Sequence, residues 1–260
     1  MKIFGIIYHW RLEYFLLIFS FDFFLIAAIY YSFIKINLAV KPQQFVEIFK
    51  SLIKESWPLL LAGFAQIVYL KIDIVMLGNL STTEQVGLYS TAAKISEIWI
   101  FLPITIMAGI FPKLIEKKSK SESDYNQYLK KIARAFLLMS LSLSVVLFFL
   151  SEMIIGLLFG DGFLASSEIL KIHIWSSIFI FLGAILSKWI IIERYTKFSF
   201  FQHISGATLN VVLNLILIPR YHGIGAAVST LVSYSFSYYF CTLFTGKTRR
   251  FFYLPFYSFK

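Results

Sequence analysis

The stretch Ile132-Ala133-Arg134-Ala135-Phe136-Leu137-Leu138-Met139-Ser140-Leu141-Ser142-Leu143-Ser144-Val145-Val146-Leu147-Phe148-Phe149-Leu150 holds one charge in 19 residues. As an α-helix it would measure about 30 Å, the thickness of a bilayer's hydrocarbon core. Lipid supplies no partner for a backbone N–H or C=O, so a spanning segment must satisfy its own backbone, and a helix does so. A barrel strand would need only about 9–11 residues of alternating polarity. Six more runs of the same kind flank this one: Leu12–Ile34, Trp57–Gly78, Leu88–Leu114, Leu170–Ile192, Phe198–Ile218 and Ile224–Phe244. The pattern predicts an all-α, polytopic membrane bundle of about seven transmembrane helices.

Composition agrees. The chain is 58% hydrophobic and only 15% charged, against about 25% charged in soluble proteins. Mean hydropathy is +0.76. So little polar surface cannot cover a water-soluble globule of 260 residues, and lipid is the expected solvent for much of it. A net charge of +10 would suggest nucleic acid in a soluble domain. Here the charges fall between apolar runs and read as topology signals, so no nucleic-acid partner is expected. The single cysteine, Cys241, excludes an internal disulfide and any multi-cysteine metal site. No cofactor is implied.

The connections divide the basic residues unevenly. Alternate loops carry Lys35, Lys41, Lys50 and Lys54; Lys113, Lys117, Lys118, Lys120, Lys130, Lys131 and Arg134; Arg194 and Lys197; and Lys247, Arg249, Arg250 and Lys260. The other side has Lys2, Arg11, Lys171 and Arg220. The positive-inside rule then puts the C-terminus in the cytoplasm and the N-terminus outside. Pro58 is expected in the first turn of the second span, and Glu116–Lys131 as a long charged loop. Pro219-Arg220-Tyr221-His222-Gly223 combines a helix stop with a helix breaker. Phe45–Ser56 is amphipathic and reads as an elbow on the cytoplasmic leaflet. Ser151–Ser167, with Gly156, Gly160 and Gly162, reads as an external hairpin or half-helix.

Charges inside a membrane helix are costly and mark function or pairing. The second span holds Lys71 and Asp73, the third Lys94 and Glu97, the fifth Lys188. Lys71 and Lys94 fall at one depth, roughly 10 Å from the external ends of their helices. Together they could bind an acidic or phosphate-bearing substrate, with Asp73 and Glu97 balancing them or carrying protons. Alternatively Lys94 and Glu97 neutralise each other at i, i+3 and Lys71 snorkels to the headgroups. Lys188, beside Trp189, is read as snorkelling to the cytoplasmic side. Asn210 and Asn214, at i, i+4, suit interhelical hydrogen bonds or contact with a sugar. His173 and His203 stand alone and do not suggest a metal site. No nucleophile constellation is present, and Gly160-Asp161-Gly162 lacks the Gly-Lys-Ser/Thr of a phosphate loop. An enzyme is not expected.

Three segments carry a family resemblance. Glu55-Ser56-Trp57-Pro58-Leu59-Leu60-Leu61 followed by Tyr69-Leu70-Lys71-Ile72-Asp73-Ile74-Val75-Met76-Leu77-Gly78 resembles Wzx-type polysaccharide flippases. So do Val86-Gly87-Leu88-Tyr89-Ser90-Thr91-Ala92-Ala93-Lys94-Ile95-Ser96-Glu97, with Phe111-Pro112 closing the helix, and Leu213-Asn214-Leu215-Ile216-Leu217-Ile218-Pro219 with Gly223-Ile224-Gly225-Ala226-Ala227. The resemblance implies membership of the multidrug/oligosaccharidyl-lipid/polysaccharide exporter superfamily. It further implies an alternating-access carrier of two six-helix lobes, moving undecaprenyl-diphosphate-linked oligosaccharide (an O-antigen or capsule repeat unit) across the bacterial inner membrane. Its partners would be the lipid-linked oligosaccharide and membrane lipid.

Family members usually have twelve or more helices, and the matching segments look like the last seven. The expected organisation is a leading helix and cytoplasmic linker at 1–44, a C-terminal six-helix transporter lobe at 45–246 and a basic cytoplasmic tail at 247–260. A chain this short is expected to be a truncated or partial flippase needing a second copy or the missing N-terminal half. A non-transporting remnant or structural subunit, and a drug or metabolite exporter of the same superfamily, are the alternative readings.

Overall fold

The computed structural model describes residues 12–37 and 42–255. Lys2, Arg11, Lys41 and Lys260 of the charge count therefore lie outside the described residues. The described chain is helical, with short turns and 3-10 segments, and separates into two compact units, Met1–Lys54 and Glu55–Lys260. In the first, helix α1 (Leu12–Asn37) includes the apolar stretch Ser20–Ser32, on which Phe23, Phe24, Tyr30 and Tyr31 are exposed.

Helix α2 runs without interruption from Pro42 to Leu80. Pro58 therefore does not open a helix, and the expected elbow Phe45–Ser56 forms its N-terminal part. Proline removes one backbone donor, a loss that membrane helices tolerate when neighbouring groups take over. Helices α3 (Thr83–Glu97) and α4 (Phe101–Lys120) are joined through a 3-10 turn at Ile98–Ile100. Helix α5 spans Glu122–Phe159, α6 Ser166–His173, α7 Ser176–Ile192, α8 Thr196–Tyr238 and α9 Arg249–Tyr253.

Among the described residues, five segments are long and apolar enough to cross a membrane: Leu59–Leu80, Thr83–Lys120, Glu122–Phe159, Ser166–Ile192 and Thr196–Phe244. Phe64, Phe149, Leu157 and Leu158 project outward, each more than 60% exposed. Bulky apolar groups at that exposure need a nonaqueous surrounding. The molecule is a polytopic membrane bundle.

Segment Glu116–Lys131 is helical rather than a loop, broken only at Ser121. The Ser121 hydroxyl accepts from the Asp124 N–H, and Glu122 and Asp124 face the positive end of α5. Lys120 pairs with Glu116 at 2.6 Å and Lys118 with Glu122 at 2.6 Å. The capping and pairing extend both helices past their apolar stretches. Likewise α5 continues through Ser151 to Phe159, and the chain turns only at Gly160, whose φ of 80° suits glycine.

Helix α8 is bent back on itself at His222 (φ 50°, ψ −128°). A straight helix would put Gln202 and Ser237 about 50 Å apart, yet the Ser237 hydroxyl donates to the Gln202 carbonyl at 3.1 Å. The two arms thus run antiparallel. Glycines allow their approach: a Cβ on Gly206 would lie 2.7 Å from Ser237 Cβ, and one on Gly225 2.5 Å from the Leu217 carbonyl oxygen. The reversal is tied to the α2–α3 turn. Ser81 Oγ lies 2.8 Å from His222 Nδ1, and the Gly223 N–H donates to Gln85 Oε1 at 3.1 Å. At the opposite end, Lys118 also binds Glu193 at 2.8 Å, and Arg134 Nε donates to the Pro255 carbonyl.

In lipid, helices associate through close packing and interhelical hydrogen bonds, since apolar burial gives little advantage there. Gly225→Val is therefore expected to cost about 1–3 kcal/mol through overpacking, lowering the Tm in detergent. Gly63→Ala, with nothing within 4 Å of its Cβ position, should leave Tm unchanged. Equal Tm values for the two variants would contradict the close-packed hairpin.

Candidate functional site

Helices α2, α3 and both arms of α8 bring polar groups to one buried point. Asp73 is 3% exposed. Its Oδ1 accepts from Asn214 Nδ2 at 2.5 Å, and its Oδ2 from the Tyr89 hydroxyl at 2.9 Å. The Thr230 hydroxyl lies 2.6 Å from the same Oδ2 and 3.0 Å from the Ala226 carbonyl oxygen. Its one proton goes to the charged, nearer acceptor. Asn214 Nδ2 also donates to Asn210 Oδ1 at 3.1 Å. Helical spacing explains the convergence: Asn210 and Asn214 share one face, as do Ala226 and Thr230. The reversal at His222 turns both faces toward Asp73.

Among the described residues no cation lies within 4.0 Å of Asp73. A buried carboxylate without a counter-cation is costly unless hydrogen bonds, a proton or a bound ion compensate. Here three donors partly compensate. Asn210 Nδ2 and Asn214 Oδ1 remain buried without partners. Asp73 Oδ2 and the Tyr89 and Thr230 hydroxyl oxygens lie 2.6–3.2 Å from one another, an oxygen cluster with one negative charge. Such a set suits a proton or a small monovalent cation. Among the described residues no group of three or more His, Cys, Asp or Glu could hold a metal ion.

The other expected site residues separate. Lys71 is exposed and pairs with Glu97 at 3.4 Å, so Glu97 meets a lysine of α2 in place of its own neighbour Lys94. Lys94 is exposed on α3. Asn210 and Asn214 are fully buried and belong with Asp73. His173 and His203 are buried in different places, His173 edge-on to Tyr89 and His203 edge-on to Tyr238.

A cavity of about 270 Å³ opens between α2, α4, α7 and α8. Its walls include Leu70, Ile104, Met107 and Ile180, and its polar groups include Gln66, Lys188, Ser199, Gln202, His203 and Tyr238. Lys188 Nζ stands 5.1 Å from the centre of the Phe111 ring. Gln66 Nε2 reaches the Tyr238 hydroxyl at 3.4 Å. Gln202 Oε1 and His203 Nδ1 are buried with no protein partner. Lys188 thus lines this cavity, where the sequence favoured snorkelling. Tyr89, Thr230 and Gln202 were not singled out from sequence. A spacing of small polar residues (Ser229, Thr230, Ser233, Ser237) marks the inward face of the last arm and would have indicated Thr230.

The fold and site define a polytopic helical membrane protein with a buried carboxylate that meets no cation among the described residues. Residues 13–168 match the family model described as "Polysaccharide biosynthesis protein", and the chain belongs to this polysaccharide biosynthesis and flippase family. It is 25% identical over 205 residues to the "Probable low-salt glycan biosynthesis flippase Agl15" of Haloferax volcanii, covering 77% of this chain and 43% of that protein. It is 27% identical over 181 residues to the "Putative O-antigen transporter" of Shigella dysenteriae, covering 69% and 45%. It is 33% identical over 131 residues to the "Probable lipid II flippase MurJ" of Thermotoga maritima, covering 48% and 28%. These relatives are transporters, not enzymes. The chain spans less than half the length of each.

Asp73→Ala would leave Asn214, Tyr89 and Thr230 facing a void, at about 1–3 kcal/mol per unsatisfied group. Asp73→Asn keeps the shape and an acceptor. Thermal unfolding in detergent should therefore rank Asp73→Ala well below Asp73→Asn. The reverse order would show that the network does not hold the bundle together.

Proposed function

We propose that this chain forms one lobe of a flippase that moves a polyprenyl-diphosphate-linked oligosaccharide across a bacterial inner membrane. The observation that carries the reading is the cavity of about 270 Å³, which sets one lysine among amides, hydroxyls and aromatic rings inside apolar walls. Lys188 suits a phosphate, the amides and Tyr238 suit sugar hydroxyls, and the apolar walls suit a prenyl chain. Lys71 and Lys94, exposed on α2 and α3 outside this cavity, would offer positive charge to the diphosphate at another point of its path. Asp73 is the coupling residue: binding a proton or cation would replace amide and hydroxyl donors at its carboxylate and shift α2 against α8. Glu97 would assist by releasing or holding Lys71.

In this reading the two arms of α8 are separate crossings. With α1 the bundle then has seven, of which the six within 45–246 make the lobe, preceded by a helix and linker at 1–44 and followed by a basic tail at 247–260. The basic end of the bundle faces the cytoplasm, as positive-inside bias favours, which places the N-terminus outside. The O-antigen or capsule repeat unit is the favoured cargo, since a glycan lipid joins all three substrate features. A second copy or an N-terminal half would supply the opposite wall of a transport path.

The test is binding by this chain in nanodiscs, read by native mass spectrometry. A polyprenyl-diphosphate oligosaccharide should be retained over the same oligosaccharide on a phosphate-free polyprenol. Lys188→Gln should reduce that preference on the order of tenfold, and Lys71→Ala with Lys94→Ala should reduce it further. Equal retention of the charged and neutral lipids by the unaltered chain would refute the reading.

A further inference from the structure

A second cavity, of about 280 Å³, lies at the basic end of the bundle, lined by Arg194, Tyr195, Thr196, Lys197, Phe198, Thr245, Lys247 and Thr248. From this placement we infer a binding site for the phosphodiester headgroup of an anionic phospholipid, held by Arg194, Lys197 and Lys247. The inference does not depend on what the bundle transports.

Three cations from two chain segments line this cavity, and no carboxylate does. Glu193, the nearest acid in sequence, turns instead to Lys118 at 2.8 Å. Lys247 Nζ is held 5.6 Å from the centre of the Tyr195 ring, which draws the tail toward the α7–α8 turn. The buried Thr248 donates to the Thr242 carbonyl at 2.7 Å, fixing the tail turn that presents Lys247. The start of α8 has no acidic residue in its first turn and no side-chain cap. It therefore adds the positive pole of its dipole to the three side chains.

The backbone at Arg194 supplies an independent argument. Tyr195 N–H bonds the Ile190 carbonyl and Arg194 N–H bonds that of Ile191, the paired pattern of a Schellman helix end. Arg194 takes the left-handed position, at φ 58°. Glycine is the usual residue there because a side chain costs conformational energy. An arginine accepted at that cost is explained by what its guanidinium does, and bidentate recognition of phosphate is the task its planar fork fits.

The location selects a lipid as the source of the phosphate. Arg194 and Lys247 flank the apolar segments ending at Ile192 and Phe244, and Lys197 is the second residue of the segment beginning at Thr196, which sets the cavity at the water–lipid boundary. Phe201, one helical turn along from Lys197, is 51% exposed, and Ile191, Phe240 and Phe244 are exposed as well. Acyl chains descending from the headgroup would meet that apolar surface. Basic pockets beside transmembrane helices bind anionic headgroups by this combination.

The test uses the 260-residue chain in phosphatidylcholine nanodiscs with phosphatidylglycerol titrated in, and reads bound lipid by native mass spectrometry. The chain should retain phosphatidylglycerol over phosphatidylcholine. Combining Arg194→Gly, Lys197→Gln and Lys247→Gln should weaken retention about fivefold per cation and on the order of a hundredfold together. Arg194→Gly suits the local backbone, so loss of fold does not confound the result. Lys113→Gln, Lys117→Gln and Lys120→Gln remove the same charge outside the cavity and should leave retention within about twofold. Equal losses in the two triple variants would show diffuse attraction only and overturn the proposal. So would inorganic phosphate displacing the lipid at equal concentration, which would mark a free-anion site.

Discussion

The carboxylate of Asp73 has no counter-cation among the described residues, and its surroundings are arranged around that fact. It lies within a bundle whose outer surface is Phe, Leu and Ile, where bare charge is costly. Asn214, Tyr89 and Thr230 donate to it from α8 and α3, so the hydrogen bonds that solvate the charge also join helices. Deleting this side chain would release α2, α3 and both arms of α8 at once. The hairpin at His222, the glycines that let its arms touch and the inward serine and threonine face all place acceptors and donors where α2 needs them.

Under the proposed function, this arrangement gives the bundle a means of changing state. Hydrogen bonds that hold an anion weaken when the anion takes a proton or a cation, and unused valences at Asn210 and Asn214 are ready to turn toward the newcomer. The nearby cavity with Lys188 shares α2 and α8 with the Asp73 network. A change at Asp73 therefore reaches Gln66 on α2 and Gln202 on α8 through rigid helices rather than through a loop. Coupling of an ion gradient to movement of a bulky lipid-linked glycan requires two sites biased by one two-state element, and these helices are the candidates.

Sequence alone made the membrane architecture legible, because long uncharged runs have few structural solutions in lipid. It also picked out Asp73, Asn210 and Asn214, since polar residues in apolar runs stand out. It did not reveal that they meet: residues 73 and 214 are 141 apart, and Thr230 joins them only through a chain reversal whose geometry is local to His222. Lys188 is a related case. Its place near a helix end fits snorkelling, and only the packing of α4 and α8 against α7 shows a cavity there. The segment 116–131 looked like a loop because its charges are dense, yet i, i+4 pairing and the Ser121 cap make those charges helix-forming.

The most direct test of this account is the thermal stability of the chain in nanodiscs, measured in sodium against choline and across pH, for the unaltered protein and for Asp73→Asn. Ligand binding to the folded state raises Tm by mass action. The account predicts that sodium or acidification raises the Tm of the unaltered protein and that Asp73→Asn abolishes the shift. An identical response of both proteins to cation and pH would place the coupling elsewhere and leave Asp73 a purely structural group.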